Sequence, residues 1–216
     1  MRDMILMTEL DDYIQGYSAG YTSVLGEMEE YAYSRDFPII GPQVGRLLHL
    51  LTSMKKPENI FEMGSGFGYS TLWFALAAGR NCVIHHTDTD ADNTERAKQY
   101  IEKSGVLPSI VYHKKDGIEA LAGEGGKGER FDIIFCDIDK TGYPRAFREA
   151  KKYLHDGGVF IADNILWKGR VARRHEFSDD PDTKAIVEAT EIFAGDPDYF
   201  TSILSVRDGV LVAMKR

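Results

Sequence analysis

Cysteine is scarce in this chain: two thiols, Cys82 and Cys136, occur in 216 residues, each inside a candidate buried strand. That excludes a disulfide framework and a thiolate metal site, and it sets the expectation of reduced thiols in a cytoplasmic setting. Positive charge is short as well, with 26 Lys and Arg against 34 Asp and Glu and a net charge of −8. A broadly basic nucleic-acid surface is excluded, although a local basic patch is not, and a small-molecule partner is favoured. No apolar run reaches the length of a membrane span. Residues 1–12 hold one basic residue, too short an apolar run for a secretory signal, and acids close behind. Internal repeats and low-complexity segments are absent too.

What is present, at 43% hydrophobic and 11% aromatic residues, is enough to bury a substantial core in one unit. From residue 60 onward short apolar runs alternate with longer helical stretches, the pattern of a parallel sheet covered by helices. Strands are expected at 60–63, 83–87, 110–113, 131–136 and 159–162. Helices are expected at 91–103, with Gly105 as C-cap, and at 143–154, with Pro144 in the first turn and Tyr143, Phe147, Ala150 and Leu154 on one face. The second helix would stop at a turn, Asp156-Gly157-Gly158. A helix over 183–194 and a hairpin of strands 200–206 and 210–214 close the chain, so the sheet should end with an antiparallel strand. Four glycines within 123–128 read as a flexible surface connection. Ahead of the alternating region, Leu10, Tyr13, Ile14, Tyr17, Tyr21, Val24, Leu25 and Met28 recur at helical spacing, interrupted by Gly16, Gly20 and Gly26. They outline a helical arm over 1–36 before a domain over 37–216. The arm would pack on the domain, on a second copy in a homodimer, or in part over the substrate.

The chemistry gathers where strands end. Phe61-Glu62-Met63-Gly64-Ser65-Gly66-Phe67-Gly68-Tyr69-Ser70 places an acid and three alternating glycines at a strand-to-helix turn. Such a turn lets backbone approach a ligand at a helix N-terminus, or is a plain tight turn. A dinucleotide fingerprint wants glycine where Tyr69 stands, which argues against a nicotinamide dehydrogenase. Glu62 would repel a pyrophosphate yet accept a hydrogen bond from an amino group, favouring a cofactor with a cationic amino-acid end such as S-adenosylmethionine. Twenty residues beyond Gly68, Asp88 suits the two hydroxyls of a ribose; its other reading is a helix N-cap, a place Asp90 or Asp92 fills equally well. Asp116 and Gly117, after the third strand, would edge the adenine.

Asp137 and Asp139 follow the fourth strand, and Asp163-Asn164 follow the fifth. Carboxyl ends of strands line the crevice of an open α/β sheet, so Asp137, Asp163 and Asn164 would aim three oxygen ligands at one place. Two carboxylates and an amide make a hard-oxygen site suited to Mg²⁺, the alternative being ordinary capping and turn formation. Lys140 is a candidate base, an electrostatic partner for an oxyanion, or a solvated lysine.

Together these residues resemble the cation-dependent, S-adenosylmethionine-dependent O-methyltransferases typified by catechol and caffeoyl-CoA O-methyltransferases. The likeness runs over 38–216. It is carried by Glu62-Met63-Gly64 with Gly68-Tyr69-Ser70, by Asp137-Ile138-Asp139-Lys140 with Tyr143, by Asp163-Asn164-Ile165-Leu166-Trp167-Lys168-Gly169, and by Asp208-Gly209-Val210-Leu211. The resemblance implies a Rossmann-like class I methyltransferase fold: a mostly parallel seven-stranded sheet with an antiparallel terminal strand and helices on both faces. It implies Ile40, Glu62, Gly64, Ser70, Asp88, Asp116, Gly117 and Asp137 around S-adenosylmethionine, a divalent metal on Asp137, Asp163 and Asn164, and Lys140 with Asp137 at the acceptor hydroxyl. A hydroxylated aromatic small molecule is the implied acceptor. Two departures stand out: Lys115 occupies a position commonly glycine in the family, and the 38–40 segment lacks the methionine often found there. Some bacterial relatives look like methylators of a hydroxylated uridine in tRNA, and Lys168, Arg170, Arg173 and Arg174 would then meet phosphates. The same cluster would suit the acidic tail of a coenzyme A thioester, or form a solvated loop. A non-catalytic protein of the same fold is the reading from another class, and the intact Asp137, Lys140, Asp163 and Asn164 count against it.

Overall fold

The computed structural model describes residues 8–18 and 20–216; the first seven residues of the arm lie outside the described residues. Strands β1 (Asn59–Met63), β2 (Val83–Thr87), β3 (Ser109–His113), β4 (Phe131–Cys136), β5 (Leu154–Ala162), β6 (Tyr199–Leu204) and β7 (Val210–Lys215) form one seven-stranded sheet in the order β3-β2-β1-β4-β5-β7-β6. Pairings from β3 through β5 are parallel, and β7 runs antiparallel to both β5 and β6. The chain steps outward from β1 to β3 and then crosses back to β4. The carboxyl ends of β1 and β4 are therefore the switch point where an open α/β sheet leaves a crevice.

Strand side chains alternate between two cores, which is why helices cover both faces. Ile60, Ile84, Ile133, Phe135 and Ile161 join one core with α2 (Ser23–Arg35), α3 (Gly41–Lys55), α4 (Tyr69–Ala77) and α5 (Ala91–Ser104). Phe61, Ile134, Cys136, Phe160 and Ala162 join the other with α6 (Gly117–Gly126), α7 (Tyr143–Tyr153) and α8 (Pro181–Ala194). Each Phe or Ile side chain so buried is worth roughly 1.5–3 kcal/mol relative to exposure. Cys82 and Cys136 are free and buried. Among the described residues, no helix is long and apolar enough to cross a membrane.

Three expectations need correction. The glycine-rich stretch 123–128 is largely helix, because α6 continues to Gly126. Gly125 is there for packing, since a Cβ on it would enter the Tyr153 ring of α7. The helix expected over 143–154 ends at Tyr153, and β5 begins at Leu154, opposite Phe131. The expected turn at 156–158 is an irregularity inside that strand, with Gly157 at φ 70°, before regular pairing resumes at Val159. The helical arm is interrupted at Gly20, with φ 73°, which separates α1 (Thr8–Ser18) from α2, where the Thr22 side chain caps Leu25 N–H. Val24, Leu25 and Met28 are buried, whereas Leu10, Tyr13, Tyr17 and Tyr21 are exposed.

Candidate active site

A cleft of about 780 Å³ opens at the carboxyl ends of β1 to β5. Its floor is the loop from Met63 into α4, where Gly64, Gly66 and Gly68 all have positive φ. Substitution is blocked by space as well as by backbone. A Cβ on Gly64 would run into the Asp137 carbonyl, and one on Gly68 would lie 2.8 Å from the Ala97 Cβ of α5. Thr87, at the end of β2, ties the loop down: its N–H donates to Ser65 Oγ at 3.0 Å, and its hydroxyl donates to the Glu62 carbonyl at 2.7 Å. The Ser65 N–H returns a bond to the Thr87 carbonyl at 2.8 Å. Nothing in local sequence marks Thr87 for this, since it acts across 22 residues.

Glu62 lies beneath the cleft and is not among the residues that line it. Its carboxylate accepts the hydroxyls of Ser70 and of Thr71, the latter at 2.5 Å. His86 Nδ1 stands 3.1 Å from the Thr71 hydroxyl, completing a buried polar chain. Burial pushes the Glu62 carboxyl up to about 7, against the opposing pull of its hydroxyl partners. The same desolvation holds His86 neutral, down to about 3. Through its bond from the hydroxyl, Glu62 holds Ser70, which does line the cleft.

Ile40, Gly64, Ser70, Asp88, Asp116, Gly117 and Asp137 all line the cleft. Asp90 is the N-cap of α5, accepting from Asp92 and Asn93 N–H, which leaves Asp88 as the cleft residue. Asp88 Oδ1 is itself steadied by the Asp90 N–H at 2.7 Å. Asp116 caps α6 through Ile118 and Glu119 N–H, both at 3.0 Å. Gly117 lets that helix approach the sheet, since a Cβ there would sit 2.9 Å from Met63 and from the Thr87 hydroxyl.

Across the cleft stand Asp137, Lys140, Asp163 and Asn164. Lys140 Nζ donates to Asp137 Oδ1 at 2.9 Å, to the Ile138 carbonyl at 3.1 Å and to the Tyr143 hydroxyl at 2.8 Å. An ammonium has three donors, so all are engaged. The Tyr143 hydroxyl donates in turn to the Asp163 carbonyl at 2.9 Å. Tyr143, legible in the sequence only as part of a helical stripe and a motif, therefore joins the two acidic strand ends. Asp163 is 4% exposed, and its Oδ1 is buried with no hydrogen-bond partner. Burial first, and the Asp137 charge second, push its carboxyl well above the usual carboxylate range. A buried carboxylate oxygen without a donor, beside a second carboxylate and an amide, fits a hard divalent cation. Among the described residues there is no cluster of three or more Asp, Glu, His or Cys that could hold a metal; this set has two carboxylates and an amide.

Of the basic residues after Asn164, only Lys168 lines the cleft. Arg170 pairs with Asp180 at 3.6 Å and Arg173 with Glu176 at 3.7 Å. Arg174 borders a separate, mostly apolar groove beside Ile165 and Val187. Asp208, Thr87 and Trp167 line the cleft without having been singled out as site residues by the sequence.

An open sheet with one reversed strand, a glycine loop leaving β1 and strand-end acids facing it defines the class I methyltransferase fold. The model of the O-methyltransferase family matches residues 15–216, and the chain belongs to that family. It is 30% identical over 174 residues to an Arabidopsis thaliana protein named as a caffeoyl-CoA O-methyltransferase, spanning 79% of this chain and 75% of that one. It is 31% identical over 134 residues to a catechol O-methyltransferase of Niastella koreensis, 61% of this chain and 60% of the relative. Among solved structures, an O-methyltransferase from Bacillus cereus in complex with SAH superposes with a TM-score of 0.85 at 27% identity, covering 97% of this chain and 98% of that one.

Proposed function

We propose that this O-methyltransferase depends on a divalent cation and moves a methyl group from S-adenosylmethionine to one hydroxyl of a catechol-like or hydroxycinnamoyl small molecule. The observation that carries the reading is the buried Asp163 carboxylate, its Oδ1 without a partner, in one cleft with Asp137, Asn164 and the glycine loop. The names of the Arabidopsis and Niastella relatives support the acceptor class, and the Bacillus cereus complex supports the donor.

In this reading the donor lies along the glycine loop. Asp88 takes the ribose hydroxyls, Asp116 and Gly117 edge the adenine, and Ser70 with the Gly64 backbone meets the amino-acid end, supported by Glu62 from below. Ile40 closes the side near α3. A cation held by Asp137, Asp163 and Asn164 would supply a Lewis acid that lowers the pKa of a phenolic hydroxyl. Lys140 keeps Asp137 in place and puts positive charge where phenolate charge develops; with all three N–H groups engaged, an electrostatic role suits it better than that of a base. The new bond joins the phenolic oxygen to the methyl carbon as the carbon–sulfur bond breaks, and the hydroxyl proton leaves to solvent. Holding the two reactants in line accounts for much of the acceleration. The exposed Leu10, Tyr13 and Tyr17 of α1 suit a homodimer contact.

The test is methyl transfer to catechol, caffeate and bulk tRNA, each with Mg²⁺ and with chelator. Transfer to the diols that chelator abolishes and Asp163→Ala eliminates supports the reading. Turnover in Asp163→Ala equal to the unaltered protein overturns the cation assignment. Salt-sensitive transfer to tRNA alone overturns the acceptor class.

A further inference from the structure

The turn between β6 and β7 is distant in sequence from the acids of the cleft, yet it binds both walls. On one side, the Leu166 N–H donates to the Asp208 carbonyl at 2.9 Å and the Ile165 N–H to the Gly209 carbonyl at 3.0 Å. The Asp208 carboxylate accepts the Lys168 N–H at 2.5 Å and, lining the same cleft as Asn164, is placed to accept from its amide. On the other side, Arg207 Nη1 donates to the Ile39 carbonyl at 3.0 Å, next to Ile40 in the cleft wall. Arg207 and Gly209 both lie in the left-handed region, at φ 50° and 87°, so the turn has a defined shape. A Cβ on Gly209 would collide with Leu166, which keeps the two loops in direct contact.

The chemistry of the Asp208–Asn164 contact is directional. A carboxylate only accepts, so it can hold a primary amide only by the NH₂ group, and the amide's carbonyl oxygen is left for another partner. We infer that Asp208 is the positioning residue of the candidate cation site, fixing the Asn164 amide so that its oxygen joins the carboxylates of Asp137 and Asp163. This rests on the cation-dependent reading above. Asp208 acts through Asn164. It also pins the backbone at Lys168, so the loop that follows Asn164, itself at φ 56°, is restrained.

Outer-shell partners of metal ligands commonly change metal affinity by about 10- to 100-fold when removed. The experiment titrates Mn²⁺ into the full chain and follows free Mn²⁺ by electron paramagnetic resonance, with no turnover needed. Asp208→Ala is expected to weaken Mn²⁺ binding by roughly that factor. Asp208→Asn, which can turn its own carbonyl oxygen toward the Asn164 NH₂, should retain most of the affinity. On an Asn164→Ala background, Asp208→Ala should have no further effect, because the residue it positions is gone. Unchanged Mn²⁺ affinity in Asp208→Ala overturns the inference, and so does an equal loss on the Asn164→Ala background, which would reflect lost charge or a disturbed fold. Asp208→Ser carries the same expectation as Asp208→Ala, so a chain that tolerates only one of them still decides the question. No Mn²⁺ binding by the unaltered protein overturns the cation reading and this inference with it. Binding that Asp163→Asn abolishes and Asp208→Ala leaves intact overturns this inference alone.

Discussion

Glu62 is a carboxyl buried beneath the cleft, and its burial sets how it titrates. Its carboxyl is raised to about 7 in the folded chain, against 4.5 for an unperturbed glutamate. Between those values the native state holds a proton that the unfolded chain has released. The group therefore supports folding fully below pH 4.5, and its contribution is lost as pH rises toward 7. Glu62→Gln keeps an acceptor for the Ser70 and Thr71 hydroxyls without the charge. Its urea midpoint should rise relative to the unaltered protein by more at pH 8 than at pH 5. Equal displacement at both would show that the native carboxyl does not titrate in this window. The spacing of Glu62 from Gly64 was legible in the sequence, whereas its depth was not. How deeply an acid before a glycine loop is buried depends on what the next helix turns toward it, and here Ser70 and Thr71 cover it. Asp88 went the other way, because Asp90 took the cap and left it facing the cleft.

Elements meet through glycine in two opposite senses. Gly68 starts α4 at φ 89° with Ala97 of α5 against it, so Gly68→Ala combines backbone strain with a clash. We expect a loss of about 1–3 kcal/mol in urea unfolding, together with weaker S-adenosylmethionine binding by calorimetry. Gly26 sits inside α2 with nothing within 4 Å of a built Cβ. Gly26→Ala should therefore stabilise the chain by about 0.5–1 kcal/mol through helix propensity, leaving binding unchanged. The same distinction explains the misreading of 123–128: composition announces flexibility, but Gly125 serves the approach of α6 to α7. Strands were legible because β1 and β4 are short, mostly apolar runs at the core of a parallel sheet. Interruptions within an element, such as the irregularity at Gly157, arise from pairing with a distant strand, and sequence pattern carries no trace of the partner.

At the scale of the whole molecule, burial and the Asp137 charge raise the cost of ionising Asp163, and a bound cation would relieve it. Anything that binds only the native state stabilises it, by about 2.7 kcal/mol when present at a hundred times its dissociation constant. Mg²⁺ should therefore raise the melting temperature relative to chelator, and the difference should vanish in Asp163→Asn; a rise that persists there would place the cation elsewhere. The parallel sheet, the glycine loop and the strand-end acids could be read along the chain because each is written in contiguous residues. Tyr143 and Asp208 stand 20 and 44 positions from Asp163 and Asn164, a separation that no local pattern bridges.

The reversed strand has a further consequence during synthesis. β7 is made after the other six strands, yet it lies between β5 and β6, so β6 has no place on the sheet until β7 arrives. Because chains emerge from the ribosome at about 5–20 residues per second, the first five strands have time to assemble with an open edge. The bond from Arg207 to the Ile39 carbonyl spans 168 residues and belongs to the same late step. The nascent protein can thus complete its glycine loop while still lacking the turn that closes the opposite wall, so donor affinity should appear on the ribosome before the proposed cation affinity does.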